Sequence, residues 1–510
     1  MKNTRPSTKT ILVLGASYGG SRTAQVLAAG LKDINARAPT KEQQWRVVLV
    51  DRNHHANHLY IFSRISVLPG HEHKAFIPYT NVFALHPPHP EGGTTFPPSL
   101  PHSFIHAKVN NIDLHANEVR LQHLSDDGER KKDEEETIAY DYLVYAMGSH
   151  LPAPIDMWGE RIYKDSAAPS KELPSRNVDL EEPVALAEEE YRGLKPQAVA
   201  RMRADQKRIA AAQSVLVVGG GALGIQYATD ISAVHPATKV TLLHSRTRLL
   251  PKFDKMMHTE ILQTLKDAGV KTILGERLSM KSLNHPRYNE KGEKVLITEN
   301  GREICADLVL LCTGQRPNTR LLAESDSTTV DPNTGMTRVA RTMQVTGSRP
   351  RARRGSGPTL SSSPEVEEET AAVALNRLSS ITLDRHTSIL AESGPQIDAE
   401  ADEAMVYEHV FAIGDAADAF GAIQAGHNAY YQGEVAARNI LKLVKKREDL
   451  ELEHYTPGPP AIKVSLGITK SVYQINGVVG VKDDGTEDLD AAGVWAYFGI
   501  KGVKEERMYD

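Results

Sequence analysis

Glycines at fixed spacing carry the first chemical signal in this chain. Behind an apolar run, Val215 to Val218, stand Gly219, Gly221 and Gly224 in the pattern Gly-x-Gly-x-x-Gly. The first glycine permits a tight strand-to-helix turn, the second lets a backbone approach a pyrophosphate, and the third lets helix pack on strand. N–H groups at the helix N-terminus then face the phosphates. A second copy lies upstream, with Gly15, Ser17 and Gly20 after the apolar residues Ile11 to Leu14. Ser17 replaces the middle glycine, and its hydroxyl could donate to a phosphate. Two fingerprints imply two dinucleotides.

Other residues complete each candidate site. Arg46 to Val50 reads as a strand ending on Asp51, where a carboxylate accepts from a ribose diol. Tyr142 to Gly148 and Asp307 to Gly314 read as buried strands, with Gly148 and Gly314 closing the two sites. Val410 to Asp415 returns the chain to the first site with Gly414 and Asp415, the latter able to hydrogen-bond a ribityl hydroxyl or the flavin pyrophosphate region. At the corresponding point of the second unit, His244 and Arg246 stand where an acid would repel a 2′-phosphate. An Arg–phosphate bond is worth roughly 1.5–3 kcal/mol, so NADPH is expected to serve at least as well as NADH.

The chain has 510 residues, too many for one core. It is 40% hydrophobic and 25% charged, with a net charge of −5, which argues against DNA binding. No apolar run approaches the ~20 residues of a membrane span. A cytoplasmic location is expected, with the surface of an organelle such as a mitochondrion or lipid droplet as the alternative. Lys2 excludes N-myristoylation. The only cysteines, Cys305 and Cys312, are expected on opposite faces of one strand, as buried small hydrophobes in a reducing compartment. His54, His55, His58, His71 and His73 lack metal-ligand spacing and read as polar loop residues, so no metal is expected.

The order of motifs resembles the two-dinucleotide flavoprotein superfamily, with FAD in the first domain and a nicotinamide cofactor in the inserted second. Within it the chain is most similar to the apoptosis-inducing-factor-like family, in its ferroptosis-suppressor branch. The resemblance rests on Phe62-Ser63-Arg64, Lys74 to Tyr79, the glycines after Val218, Val240 to Ser245, Leu311 to Gly314 and Ala412 to Asp415. It implies NAD(P)H oxidation through FAD with a quinone acceptor, and FAD contacts at Gly15, Ser17, Gly20, Arg64, Val109 and Asp415. Gln226 stands where the family usually has a glutamate near the nicotinamide. Met147 stands where threonine is common.

The implied fold is α/β: two Rossmann-like domains, the FAD domain discontinuous and the NAD(P) domain inserted, plus a small C-terminal α+β unit. Expected bounds are 1–155 for the first part of the FAD domain, 156–213 for a connector and 214–314 for the NAD(P) domain. The FAD domain resumes over 315–342 and 406–445, interrupted by a disordered insertion at 343–405, and 446–510 form the C-terminal unit. Arg353, Arg354 and Ser356 in the insertion resemble a basophilic kinase site. Trp495, Tyr497, Phe498 and Ile500 with Lys501 and Lys504 would either give weak peripheral membrane contact or pack a C-terminal sheet. With no cysteine in the first 300 residues, electrons should pass directly from flavin to a small acceptor. A tailoring oxidoreductase acting on a small metabolite, or a signalling or DNA-binding flavoprotein, are the competing readings.

Overall fold

The computed structural model describes residues 8–38, 40, 44–83, 102–125, 131–159, 191–349, 403–446, 451–483 and 485–509. Lys2, most of the insertion with Ser356, and the Pro-rich stretch 87–101 lie outside them.

The first unit begins with β1 (Lys9–Leu14), α1 (Tyr18–Ala36) and β2 (Trp45–Asp51), followed by β3 (Ser103–Asp113), β4 (Glu118–His123), β5 (Glu135–Ala139) and β6 (Tyr142–Tyr145). β1 lies between β2 and β6, both parallel to it, with Ile11 in register with Val47 and Tyr142. Ile11 to Leu14 are wholly buried, as expected of a parallel strand covered on both faces.

Helix α2 (Lys195–Ala211) leads into the second unit, formed by β7 (Ser214–Val218), α3 (Ala222–Val234), β8 (Lys239–His244), α4 (Lys255–Asp267), β9 (Lys271–Leu274) and β10 (Leu308–Leu311). Its parallel sheet runs in the order β9-β8-β7-β10. The antiparallel pair Lys294–Ile297 and Glu303–Ala306 carries Cys305, whereas Cys312 follows β10. The two cysteines therefore do not share a strand: Asp307 ends one pairing and β10 begins another. Cys305 is exposed.

β11 (Gln344–Arg349), β12 (Glu403–Ala412) and α5 (Gly426–Val444) return to the first sheet, whose order is β11-β12-β6-β1-β2-β3-β4-β5. The expected disordered segment thus gives up strand residues at both ends. β11 is an edge strand with a single neighbour, so its residues need no apolar run. Helices α1 and α5 cross closely: a Cβ on Gly30 would lie 2.3 Å from Leu441, and one on Gly433 would lie 2.7 Å from the Gly19 carbonyl. Arg22 Nε donates to Glu434 across the same crossing (2.7 Å).

The C-terminal unit is an antiparallel sheet of β13 (Ile462–Leu466), β14 (Lys470–Ile475) and β15 (Val478–Asp483), then a 3-10 segment Ala491–Phe498. Trp495 and Phe498 are buried. Trp495 Nε1 donates to the Lys74 carbonyl (3.0 Å), and Phe498 leans on Tyr18 and Tyr79. These two aromatics pack on the first unit, where the buried indole N–H finds its acceptor. Tyr497 is exposed, as are Lys501 and Lys504. Among the described residues no helix is long and apolar enough to cross a membrane.

His55, His58 and His73 are buried, contrary to the loop expectation. His55 begins the small strand His55–Asn57 that pairs with Phe76–Pro78, and the His58 N–H that follows donates to the Ala75 carbonyl (2.8 Å). Among the described residues no group of three His, Cys, Asp or Glu could hold a metal. Burial lowers His55 to about 3 and His58, His102 and His106 to about 4. A depressed histidine contributes stability above its unfolded pKa, and that contribution is lost as pH falls towards the folded value. Urea unfolding should show stability falling as pH drops from about 6.5 to 4, each histidine adding up to about 1.4 kcal/mol per pH unit. A flat profile between pH 7 and 5 would contradict this burial.

Candidate functional site

The site is built where strands end and glycines begin. At the end of β1, Gly15 takes φ +94°, a turn that a side chain would strain, and a Cβ there would lie 2.3 Å from the Ala146 carbonyl. A Cβ on Gly20 would lie 1.7 Å from the Gly15 carbonyl, so α1 rests directly on the turn. Ser17 caps α1 in extended conformation and makes no side-chain cap bond. The helix presents its N-terminal N–H groups with the positive end of its dipole.

Asp51 closes this cradle from β2. The Ala16 N–H donates to Asp51 Oδ2 (2.7 Å) and the Asn53 N–H to Oδ1 (2.7 Å). Burial still pushes its carboxyl above the usual range, against those two N–H groups and Arg52. Each oxygen keeps a free lone pair to accept from a hydroxyl. Beyond Asp51, in register with His106, β3 runs on to Val109, which pairs with Leu121 just before a register shift. Val109 is buried.

Gly148, Gly414 and Asp415 gather at the ends of β6 and β12. A Cβ on Gly148 would meet open space. The Gly414 N–H donates to Gln432 Oε1 (2.7 Å). Ser149 Oγ and Gln315 Nε2 both donate to Asp415 Oδ2, at 3.0 and 2.8 Å. Burial raises the Asp415 carboxyl despite these two donors. Ser149 and Gln315 directly follow Gly148 and Gly314, which is the signal that sequence reasoning passed over. They also belong to the two chain crossings between units: Ser149–His150 pairs antiparallel with Arg316–Pro317.

The second cradle repeats the first. Gly219 takes φ +124°, and a Cβ on Gly224 would lie 1.9 Å from the Gly219 carbonyl. Gly221 caps α3, and a Cβ there would meet nothing within 4 Å. Gly314 likewise faces open space. Cys312 lies behind this turn, its Cβ 3.3 Å from the Cβ position of Gly224, and burial pushes its thiol far up. His244 Nδ1 accepts from the Gly220 N–H (3.1 Å), so Nε2 carries the ring proton. Burial lowers the pKa of this imidazole. Arg246, two residues on, is exposed and has no ion pair among the described residues.

Two expected site residues lie elsewhere. Arg64 has no exposed surface, and its guanidinium is taken by Asp230 Oδ1 (3.0 Å) and by carbonyls of Gly467, Ile468 and Glu487. Both terminal nitrogens of its guanidinium are thus engaged by protein acceptors, away from the first glycine cradle. Gln226 is buried too, with Nε2 donating to Ser465 Oγ (3.0 Å) under β13 and not into an open nicotinamide site.

The family model for pyridine nucleotide-disulphide oxidoreductases matches residues 9–349. The chain belongs to that family. It is accordingly an FAD-dependent NAD(P)H oxidoreductase. It is 36% identical over 499 residues to Fe-regulated protein 8 of Mycosarcoma maydis, covering 96% of this chain and 95% of the relative. It is 24% identical to ferroptosis suppressor protein 1 of Taeniopygia guttata, covering 92% and 88%. Among solved structures, reduced CoADR-RHD of Bacillus anthracis superposes with a TM-score of 0.54 at 15% identity. That match covers 92% of this chain, which spans 62% of the bacterial protein's length.

The residues present fit the cofactors of this oxidoreductase family. Each cradle has a tight glycine turn, an open glycine or serine at the helix cap and a polar residue at the end of the next strand. Bound there, FAD accepts two electrons from a nicotinamide and releases them to an acceptor. Gly221→Ala should leave the melting temperature unchanged yet weaken NAD(P)H binding, because its Cβ projects into cofactor space. Gly224→Ala should lower both, since that Cβ collides with the Gly219 carbonyl. Thermal melts with nucleotide titration separate the two, and identical behaviour would refute the assignment.

Proposed function

We propose that this oxidoreductase passes electrons from NADPH, through flavin, directly to a quinone. The observation that carries this reading is the placement of the cysteines. Relay to a disulfide needs a dithiol beside the flavin. Here one thiol is half-buried behind the second glycine turn and the other is exposed on a hairpin of the second unit. No thiol serves the first cradle, so a diffusible acceptor is the natural outlet. The resemblance to the ferroptosis-suppressor branch supports a quinone as that acceptor.

His244 and Arg246 support NADPH as the donor. An imidazole whose Nε2 carries a proton does not repel a 2′-phosphate as a carboxylate would, and an unpaired guanidinium nearby can bind one. The residues around the first cradle hold and orient: Asp51 accepts from hydroxyls, the α1 N-terminus holds phosphate, and Asp415 is kept in place by Ser149 and Gln315.

Anaerobic reduction of the FAD-loaded protein by NADPH, followed by reoxidation with a panel of quinones, tests the reading. Rapid reoxidation by quinones and none by disulfides is expected, and the converse would overturn it. Arg246→Ala should raise the NADPH KM about ten- to a hundredfold, equivalent to roughly 1.5–3 kcal/mol, while leaving NADH turnover unchanged. A strong preference of the unaltered protein for NADH would refute the donor assignment.

A further inference from the structure

Arg64 sits where three parts of the chain meet. It belongs to a short helix, Phe62–Ile65, of the first unit. Its Nη2 donates to Asp230 on α3, the helix that opens at the second glycine cradle. The same nitrogen donates to the Gly467 carbonyl, and Nη1 donates to the carbonyls of Ile468 (3.0 Å) and Glu487 (2.6 Å) in the C-terminal unit. Both side chains of the ion pair are 0% exposed. Among the described residues Asp230 Oδ2 and Arg64 Nε have no hydrogen-bond partner, so the two nitrogens at the end of the fork carry every bond the guanidinium makes.

Helix α3 meets the C-terminal unit along a single face. Gln226 and Asp230 are four residues apart, hence neighbours on one side of the helix. Gln226 bonds Ser465 of β13, and Asp230 reaches the following turn through Arg64. The forked guanidinium fixes direction as well as distance, which an ammonium in its place would not do.

We infer that Arg64, held by Asp230, is a positioning residue for hydride transfer: it sets the second glycine cradle against the first by clamping α3 and the C-terminal turn to the first unit. This rests on the functional reading above. It assigns Arg64 to the alignment of two bound cofactors and not to binding either one. A buried ion pair is weak evidence for stability alone, and specifying one arrangement is a role such pairs can serve.

The test uses full-length, FAD-loaded protein carrying Arg64→Lys or Asp230→Asn. The asparagine is isosteric and keeps an acceptor, so it serves if the lysine variant does not fold. Flavin absorbance reports FAD content, and stopped-flow reduction by NADPH reports rate and apparent affinity separately. The expected result is full FAD content and unchanged NADPH affinity, with the limiting reduction rate lowered about tenfold or more, because misplacement by about 1 Å is enough for such a loss. Arg64→Lys should fall further than Asp230→Asn, since only the lysine loses the fork. A limiting rate within about twofold of the unaltered protein, or loss of FAD from both variants, overturns the inference. Failure of the unaltered protein to be reduced by NADPH would instead overturn the functional reading.

Discussion

The close seating of a helix on a backbone carbonyl governs this molecule. It occurs twice, at Gly20 over the Gly15 carbonyl and at Gly224 over the Gly219 carbonyl, and at neither place is there room for a Cβ atom. Only at that separation does each helix direct its N-terminal N–H groups along the end of its strand. The parallel registers of β1 with β2 and β6, and of β7 with β8 and β10, carry Asp51, Gly148, His244 and Gly314 to the same ends. The family's chemistry needs little more from the protein than this geometry, because the cofactors supply the reactivity.

Much of the fold was legible in the sequence because its signals are local. Buried parallel strands read as unbroken apolar runs, and the glycine spacing marks the turn that follows. The run Arg46 to Val50 marks β2 to within a residue at each end. Edge strand β11 was hidden because a strand with one neighbour needs no apolar pattern. The cysteines were misplaced onto one strand because Asp307, where the chain passes from the hairpin to β10, carries no turn signal of its own.

The site was legible where it depends on backbone geometry and obscure where it depends on distant side chains. The glycines, Asp51 and Asp415 stand at strand ends, so spacing finds them. Arg64 and Gln226 were expected at cofactors, but each answers to residues more than 200 positions away, at Gly467 and Ser465. Buried histidines posed the same difficulty, since nothing near His55 or His58 in sequence announces that the chain will cover them. Trp495 shows the converse: an aromatic that looked suited to a membrane is consumed by one carbonyl, that of Lys74.

The ribbon of Ser149–His150 against Arg316–Pro317 has an evolutionary consequence. Everything from 151 to 315 leaves and re-enters through two hydrogen-bonded neighbours, so the ends of that segment lie side by side. A gene segment encoding such a cassette can be spliced in or out without threading or stretching the host, which can close the gap with a short link.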